Sequence, residues 1–249
     1  MKASEGPEPA GRWLLIGNSR WHWAEGGAER LRCWSEPPPA ATPPKAPPPA
    51  PPPSGAGMAD PITGWITAWA AVGPGVAASG LDPRTRLTLE HVPLGNLPPW
   101  LGIDRALVGW QAWSDSQGPV LVADAGTALS LTRVDGAGRF AGGRLLAGAA
   151  LQWRALAEGT VGLPAIPLNG PLDGEPWPER TAEALRTGVL RGLAAAVQAA
   201  WQEALQVDRR CGLWITGGDG PALGALLGQP CDGQLALRAL AGLRPERGR

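Results

Sequence analysis

Tyrosine is absent from this chain of 249 residues, phenylalanine occurs once, and there are only three cysteines and two histidines. Cys33, Cys211 and Cys231 are scattered and form no C-x-x-C pair, which excludes a zinc framework or a disulfide scaffold and fits a reducing cytoplasm. His22 and His91 have no metal-ligating neighbours in sequence, so neither is read as a metal or catalytic residue. No apolar run approaches the ~20 residues needed to span a bilayer. The opening MKASEGPEPAGR lacks the apolar stretch of a secretion signal, so export is not expected. Neither sign of charge dominates, with 22 basic and 22 acidic residues, and no global field draws in nucleic acid or an anionic membrane. What is abundant is tryptophan, thirteen in all. These lack the interleaved basic residues of a base-stacking platform and are read as core or interface residues.

The richest stretch runs from Pro119 to Gly148. An apolar run ends in Asp124, and the turn Ala125-Gly126-Thr127 leads into an alternating strand. A reversal at Asp135-Gly136 and the pair Gly142-Gly143 follow. A glycine lets backbone N–H groups approach an anion, while a threonine hydroxyl and a carboxylate can serve phosphate and cation. A weaker copy lies at Leu14-Leu15-Ile16-Gly17-Asn18-Ser19-Arg20. Taken singly, each loop reads first as an ordinary turn. Two strand–glycine–hydroxyl turns, one in each half, predict a duplicated fold with one phosphate loop per half.

Residues 13 to 34 alternate as an opening hairpin. Between Glu36 and Ser54 the chain is EPPPAATPPKAPPPAPPPS, which can form neither helix nor central strand and is expected as polyproline II. It is read as an insertion between strands, with binding of SH3-type modules as a second use. Residues 62 to 79 read as a helix or buried segment leading into a strand, and Thr85 to Val92 as a strand. Ile103 to Trp113 reads as a helix with Ile103, Ala106, Leu107 and Trp110 on one face. The stretch Thr181 to Leu205 carries a stripe of Leu185, Val189, Leu193, Val197, Ala200 and Leu205, with Thr181 as N-cap. Gly188 and Gly192, one turn apart, each cost about 1 kcal/mol of helix propensity. They point to a close helix contact, either within the subunit or across a dimer.

Together, Gly17-Asn18-Ser19, Gly102-Ile103-Asp104-Arg105, Asp124-Ala125-Gly126-Thr127-Ala128, Gly142-Gly143 and Thr216-Gly217-Gly218-Asp219 resemble, in order and spacing from about Trp13 to Leu227, the type III pantothenate kinases. The resemblance implies an α/β fold of two actin-like domains (the acetate and sugar kinase/Hsc70/actin class). These would be 11–116, carrying the proline-rich insertion 36–54, and 117–249. It implies ATP-dependent phosphorylation of pantothenate to 4′-phosphopantothenate, the first step of coenzyme A biosynthesis, by a cytoplasmic homodimer. Asp104 would accept the proton, and Gly102, Ile103, Asp104, Arg105 and Thr181 would meet the substrate. Gly17, Asn18, Ser19, Arg20 and Thr127 would meet ATP, which brings Mg²⁺. Asp124 would hold a monovalent cation, K⁺ or NH₄⁺. Two acidic positions of the family fall on Leu15 and Thr132, Ala147 replaces a proline, and Pro98 replaces an aromatic. Those departures leave open a second reading, a catalytically weak relative with a nucleotide-binding or transcription-accessory role.

Overall fold

The computed structural model describes residues 11–27, 30–38, 66–73, 80–166 and 175–245. The proline-rich insertion from residue 39 onward, together with 62–65 and 74–79, lies outside them. Two four-stranded sheets organise the chain. The first contains β1 (Gly11–Ile16), β2 (Trp21–Gly27), β3 (Arg30–Glu36) and β4 (Ala68–Ala71) in the order β3-β2-β1-β4. The second contains β5 (Val120–Ala125), β6 (Ala128–Val134), β7 (Phe140–Ala147) and β8 (Gly212–Thr216) in the order β7-β6-β5-β8. In each, three antiparallel strands are followed by a fourth that runs parallel to the first. The two sheets are copies of one topology, as a duplicated actin-like fold requires.

Among the described residues five α-helices join them: α1 (Ile103–Ser116), α2 (Ala149–Gly159), α3 (Thr181–Val207), α4 (Gly220–Leu227) and α5 (Leu235–Gly242). Burial follows strand alternation. Trp13 and Leu15 of β1 join Ala68 and Ala70 of β4, α1, α5, and Val120 and Val122 of β5 in one core. That core lies between the sheets, with α1 packed on β4, β5 and β6 and α5 on β1, β2 and β4. The opposite face of the second sheet, carrying Leu121, Ala123, Leu129, Leu131 and Ile215, is covered by α2, α3 and α4. At ~1.5 Å per residue α3 is about 40 Å long. Its buried stripe includes Val189, Leu193, Val197 and Ala200, four of the six positions expected.

Several local expectations are corrected. Residues 13 to 34 belong to a three-stranded meander rather than a hairpin, because Glu25-Gly26-Gly27 pairs with Arg30-Leu31-Arg32 and continues the sheet. Among the described residues of 62–79 there is strand β4 and no helix. Thr85 to Val92 is not a strand: short 3₁₀ turns at Pro83–Thr85 and Leu89–His91 interrupt it. There the Asp82 carboxylate accepts from the Arg84 N–H at 2.9 Å, and His91 Nδ1 accepts from the Thr88 N–H at 3.0 Å. Such local bonds satisfy the backbone groups a ladder would have used. Thr181 is the first helical residue of α3 and not its cap; Arg180 occupies that position without a side-chain cap bond. Gly188 and Gly192 are exposed, and a Cβ on either would meet nothing within 4 Å, so no close helix contact within the subunit explains them.

Candidate active site

The two turns found in the sequence meet at the ends of β1 and β5. After β1, Gly17 N–H donates to the Arg20 carbonyl at 2.9 Å, closing the loop Gly17-Asn18-Ser19-Arg20. Asn18, Ser19 and Arg20 are exposed, and Arg20 donates to the Ser35 carbonyl at 3.1 Å. After β5, Gly126 N–H donates to the Ala128 carbonyl at 3.1 Å. Ser19 Oγ and Thr127 Oγ1 share a hydrogen bond of 2.8 Å, joining residues 108 positions apart. The hydroxyls of both loops therefore meet at the surface.

Asp104 lies in the first turn of α1. Gly102 is the N-cap and has no side chain, so the first-turn N–H groups need another acceptor. The Asp104 carboxylate takes bonds from its own N–H and that of Arg105. Burial still outweighs these bonds and the Arg105 charge, and lifts its pKa above the ordinary carboxylate value. Ile103 is buried in the core below, at 7% exposure. Asp124, at the end of β5, is pushed up to about 6, first by desolvation and then by the charge of Asp104. Two carboxylates thus face one another where the halves meet.

Beside them lie Thr216, the first residue of the Thr216–Asp219 motif, and Ser130, which no motif singled out. Across the second sheet, Asp124 pairs with Ser130 on β6 and Thr216 on β8. This forms a row of three oxygen-bearing side chains on one face. Ser130 Oγ is buried and has no hydrogen-bond partner, and Thr216 is 3% exposed. The equivalent row of the first sheet, matched through Gly17 and Gly126, is His22–Leu15–Ala70. Leu15 is therefore the duplicate of Asp124, buried at 5% exposure in the central core. His22 Nδ1 is bonded to Ser35 Oγ at 2.7 Å, and burial, then Arg20, lower its pKa. This internal comparison was available in the sequence once the two loops were aligned on their glycines.

Arg105 is 9% exposed. Its Nε donates to Thr132 Oγ1 at 3.1 Å and its guanidinium lies 5.9 Å from the Phe140 ring centre. Gly143 makes that position available: a Cβ there would collide with the Leu131 carbonyl and Arg105 Nη2. Gly143→Ala is expected to cost about 1–3 kcal/mol through overpacking. An unchanged urea midpoint would show that β7 relaxes without cost. In the Thr216–Asp219 turn, Gly217 has φ +90, and a Cβ on it would lie 2.6 Å from Asp124 Oδ1. Burial raises the Asp219 carboxyl above its ordinary range, with the Ala149 backbone opposing that rise. Thr181 is the outlier. It is exposed in the first turn of α3, with no hydrogen bond to these loops among the described residues.

Two sheets of one topology, each ending its first strand in a glycine–hydroxyl turn, with the acidic start of α1 beside the second, make a duplicated α/β fold of the two-domain class expected from the sequence. The family model for Type III pantothenate kinase matches residues 91–203, which include Asp104, Asp124 and Gly143. A type III pantothenate kinase of Synechococcus elongatus is 34% identical over 219 residues, 86% of each chain. Another, from Thermosynechococcus vestitus, is 37% identical over 230 residues, 89% of this chain and 83% of the relative. The chain belongs to the type III pantothenate kinase family.

Proposed function

We propose that this chain transfers the γ-phosphoryl group of ATP to the hydroxyl of pantothenate, with Asp104 as the proton acceptor. The product would be 4′-phosphopantothenate, which opens coenzyme A biosynthesis. The observation that carries this reading is the pair of buried carboxylates beside the joined loops. As the bond from the acceptor oxygen to the γ-phosphorus forms, the bond to the β–γ bridging oxygen breaks. Its electron pair leaves with ADP, and the hydroxyl proton passes to Asp104. A loose transition state asks mainly for position and charge neutralisation, and late proton acceptance suits a carboxylate. Burial makes Asp104 a stronger base than free aspartate. Gly17, Asn18, Ser19, Arg20 and Thr127 would bind the phosphates of MgATP. Gly102, Ile103 and Arg105 would form the pantothenate side. Arg105, bonded to the Thr132 hydroxyl and also feeling the charge of Asp104, would turn its guanidinium to the substrate carboxylate. ADP release measured with and without pantothenate tests the reading. Tight ATP binding without pantothenate-dependent release would favour the weak-relative reading that Leu15 keeps in view.

Asp124, Ser130 and Thr216 fit a monovalent cation of the K⁺ or NH₄⁺ kind: one buried carboxylate, one orphaned hydroxyl and one further hydroxyl on a shared face. Among the described residues no cluster of three His, Cys, Asp or Glu side chains offers a harder metal site. The cation would supply positive charge beside the phosphates. Cation binding favours ionised Asp124, so activation by potassium is expected to fade as pH drops through about 6. Equal rates in sodium, potassium and ammonium buffers would remove the role. Without cation, an ordinary aspartate in the unfolded chain ionises first. The Asp124 contribution therefore lowers stability as pH rises from about 4 to about 6. Asp124→Asn is expected to abolish that slope and to stabilise the cation-free protein at neutral pH by about 1–3 kcal/mol. A thermal melt across this pH range reads it.

A homodimer is the assembly this reading favours. Ala184, Gly188, Gly192, Ala195 and Ala199 form an exposed small-residue ridge on α3, and Thr181 lies at its start, free to meet substrate in a partner's site. No helix among the described residues is long and apolar enough to cross a membrane, and the proposed setting is the cytoplasm.

A further inference from the structure

The two sheets repeat one topology but not one chemistry. Opposite Asp124, the second sheet places the orphaned hydroxyl of Ser130. At the same register position of the first sheet, opposite Leu15, stands His22. The exchange is double: one half has a carboxylate beside a hydroxyl, the other a leucine beside an imidazole. A glycine makes room in each case. A Cβ on Gly217 would lie 2.6 Å from Asp124 Oδ1, and one on Gly17 would lie 3.4 Å from His22 Nε2 and 3.6 Å from Cδ2 of the same ring. The bare glycine of the first loop thus lets the imidazole come up beside the loop backbone.

Ser35 on β3 holds both basic groups of this loop. Its hydroxyl meets His22 Nδ1 at 2.7 Å, and its carbonyl accepts from Arg20 Nη2 at 3.1 Å. With Nδ1 engaged there, the ring nitrogen left over is Nε2, the one beside Gly17. A hydroxyl can donate or accept. A neutral ring that accepts from Ser35 carries its proton on Nε2, and a charged ring that donates to Ser35 carries one there as well. Both of these states leave an N–H on the side of the loop.

The loop Gly17-Asn18-Ser19-Arg20 contains no acidic residue. Facing His22 are Leu15 from β1, Ser35 from β3 and Arg20 from the loop. Cys33 lies further along β3, opposite Ala24, and Glu36 at the end of that strand accepts from Trp23 Nε1. Asp232 and Arg238, the ionisable groups before and on α5, which packs on β2, are bonded to each other at 2.7 Å. Burial, and then the Arg20 charge, hold the imidazole below its usual pKa. An anion at Nε2 would reverse this, because an opposite charge favours the protonated ring.

We propose that His22 is a phosphate-binding residue of the first loop. Its Nε2–H donates to the outer phosphates of a nucleoside triphosphate, and with Arg20 it meets them with positive charge where the second half keeps a carboxylate. This role rests on the nucleotide reading above and adds to it a residue and a pH dependence. In this arrangement the Asp124 row serves the cation and the His22 row the phosphates.

The chain has two histidines, so imidazole ¹⁵N spectra of the full chain carry one set of signals for His22 and one for His91. His91, whose Nδ1 accepts from the Thr88 N–H, is the internal control. The magnesium complex of a non-hydrolysable ATP analogue is expected to raise the His22 pKa by about one unit, a tenfold preference for the charged ring. AMP, which lacks the outer phosphates, should leave it unmoved, and His91 should respond to neither. By calorimetry, His22→Phe should bind the analogue about tenfold more weakly, a loss matching that shift, with AMP affinity unchanged. His22→Gln keeps an N–H but no charge and should fall between the two. A ring whose pKa is raised by binding gives an affinity that is full below the free-ring pKa and declines as pH rises to the bound one. The parent should show that decline and His22→Gln should flatten it. A His22 pKa unmoved in a parent chain saturated with the analogue would overturn the proposal, as would parental analogue affinity in a folded His22→Phe protein. The parent titration needs no variant, so it decides the matter even where His22→Phe does not fold. A parent chain that never saturates with the analogue would end the nucleotide reading itself, and this proposal with it.

Discussion

Asp104→Asn is expected to lower pantothenate-dependent turnover by about two to four orders of magnitude, the usual worth of a positioned base. The amide keeps the size of the side chain and one oxygen that can still accept from the N–H groups of the first turn of α1. Helix and fold should therefore survive, and ATP affinity should change little. What is lost is the carboxylate that takes the hydroxyl proton, and with it the repulsion that helps raise Asp124. The variant should therefore also lower the Asp124 pKa below about 6, visible as a shift in the pH dependence of potassium binding. Near-normal turnover in a folded Asp104→Asn protein would reduce Asp104 to a helix-start acceptor.

Leu15→Asp should destabilise the protein by about 3–5 kcal/mol, the scale of an uncompensated buried charge. That is a large share of the 5–15 kcal/mol typical of whole domains. Family resemblance alone argues for a gain, because an aspartate belongs at this position in the relatives. Packing argues the reverse. Leu15 faces the core shared by α1 and α5, between Ala70 and a His22 already bonded to Ser35. No oxygen row like Ser130–Asp124–Thr216 exists there to receive a carboxylate. Metal binding on this side would then depend on phosphates and water, an arrangement Mg²⁺ tolerates. A Leu15→Asp protein that melts like its parent and needs less magnesium would show that the cleft, not the core, solvates this position.

Local signals were strong where backbone and chemistry coincide. Glycine–hydroxyl turns after apolar runs located both loops, and the Ile103 and Val189–Val197 periodicities located α1 and the core of α3. They failed where side chains bond their own backbone, as Asp82 and His91 do, because alternation alone reads such a segment as a strand. They also failed where function depends on register. Thr216 lies far from Asp124 in sequence, Ser130 lies just beyond the turn, and both come opposite it only through the register of β8 and β6 on β5. Gly143 was noticed as part of a glycine pair, but its use, clearing space for the Arg105 guanidinium, needed the strand beside it. Leu15 was legible as a departure from the family. Its equivalence to Asp124 was open to an alignment of the two glycine loops, but its burial came from the sheets.

The most direct measurement is product identification by mass spectrometry alongside ADP release, using MgATP and pantothenate in potassium buffer at pH 7.5, for the parent chain and Asp104→Asn. A phosphoryl-transfer site built from Asp104 and Asp124 predicts phosphopantothenate and ADP in equal amounts from the parent. It predicts at least a hundredfold less of both from the variant, with ATP binding retained. ADP formed at the same rate without pantothenate, or no phosphopantothenate from a folded chain that binds ATP, would contradict it.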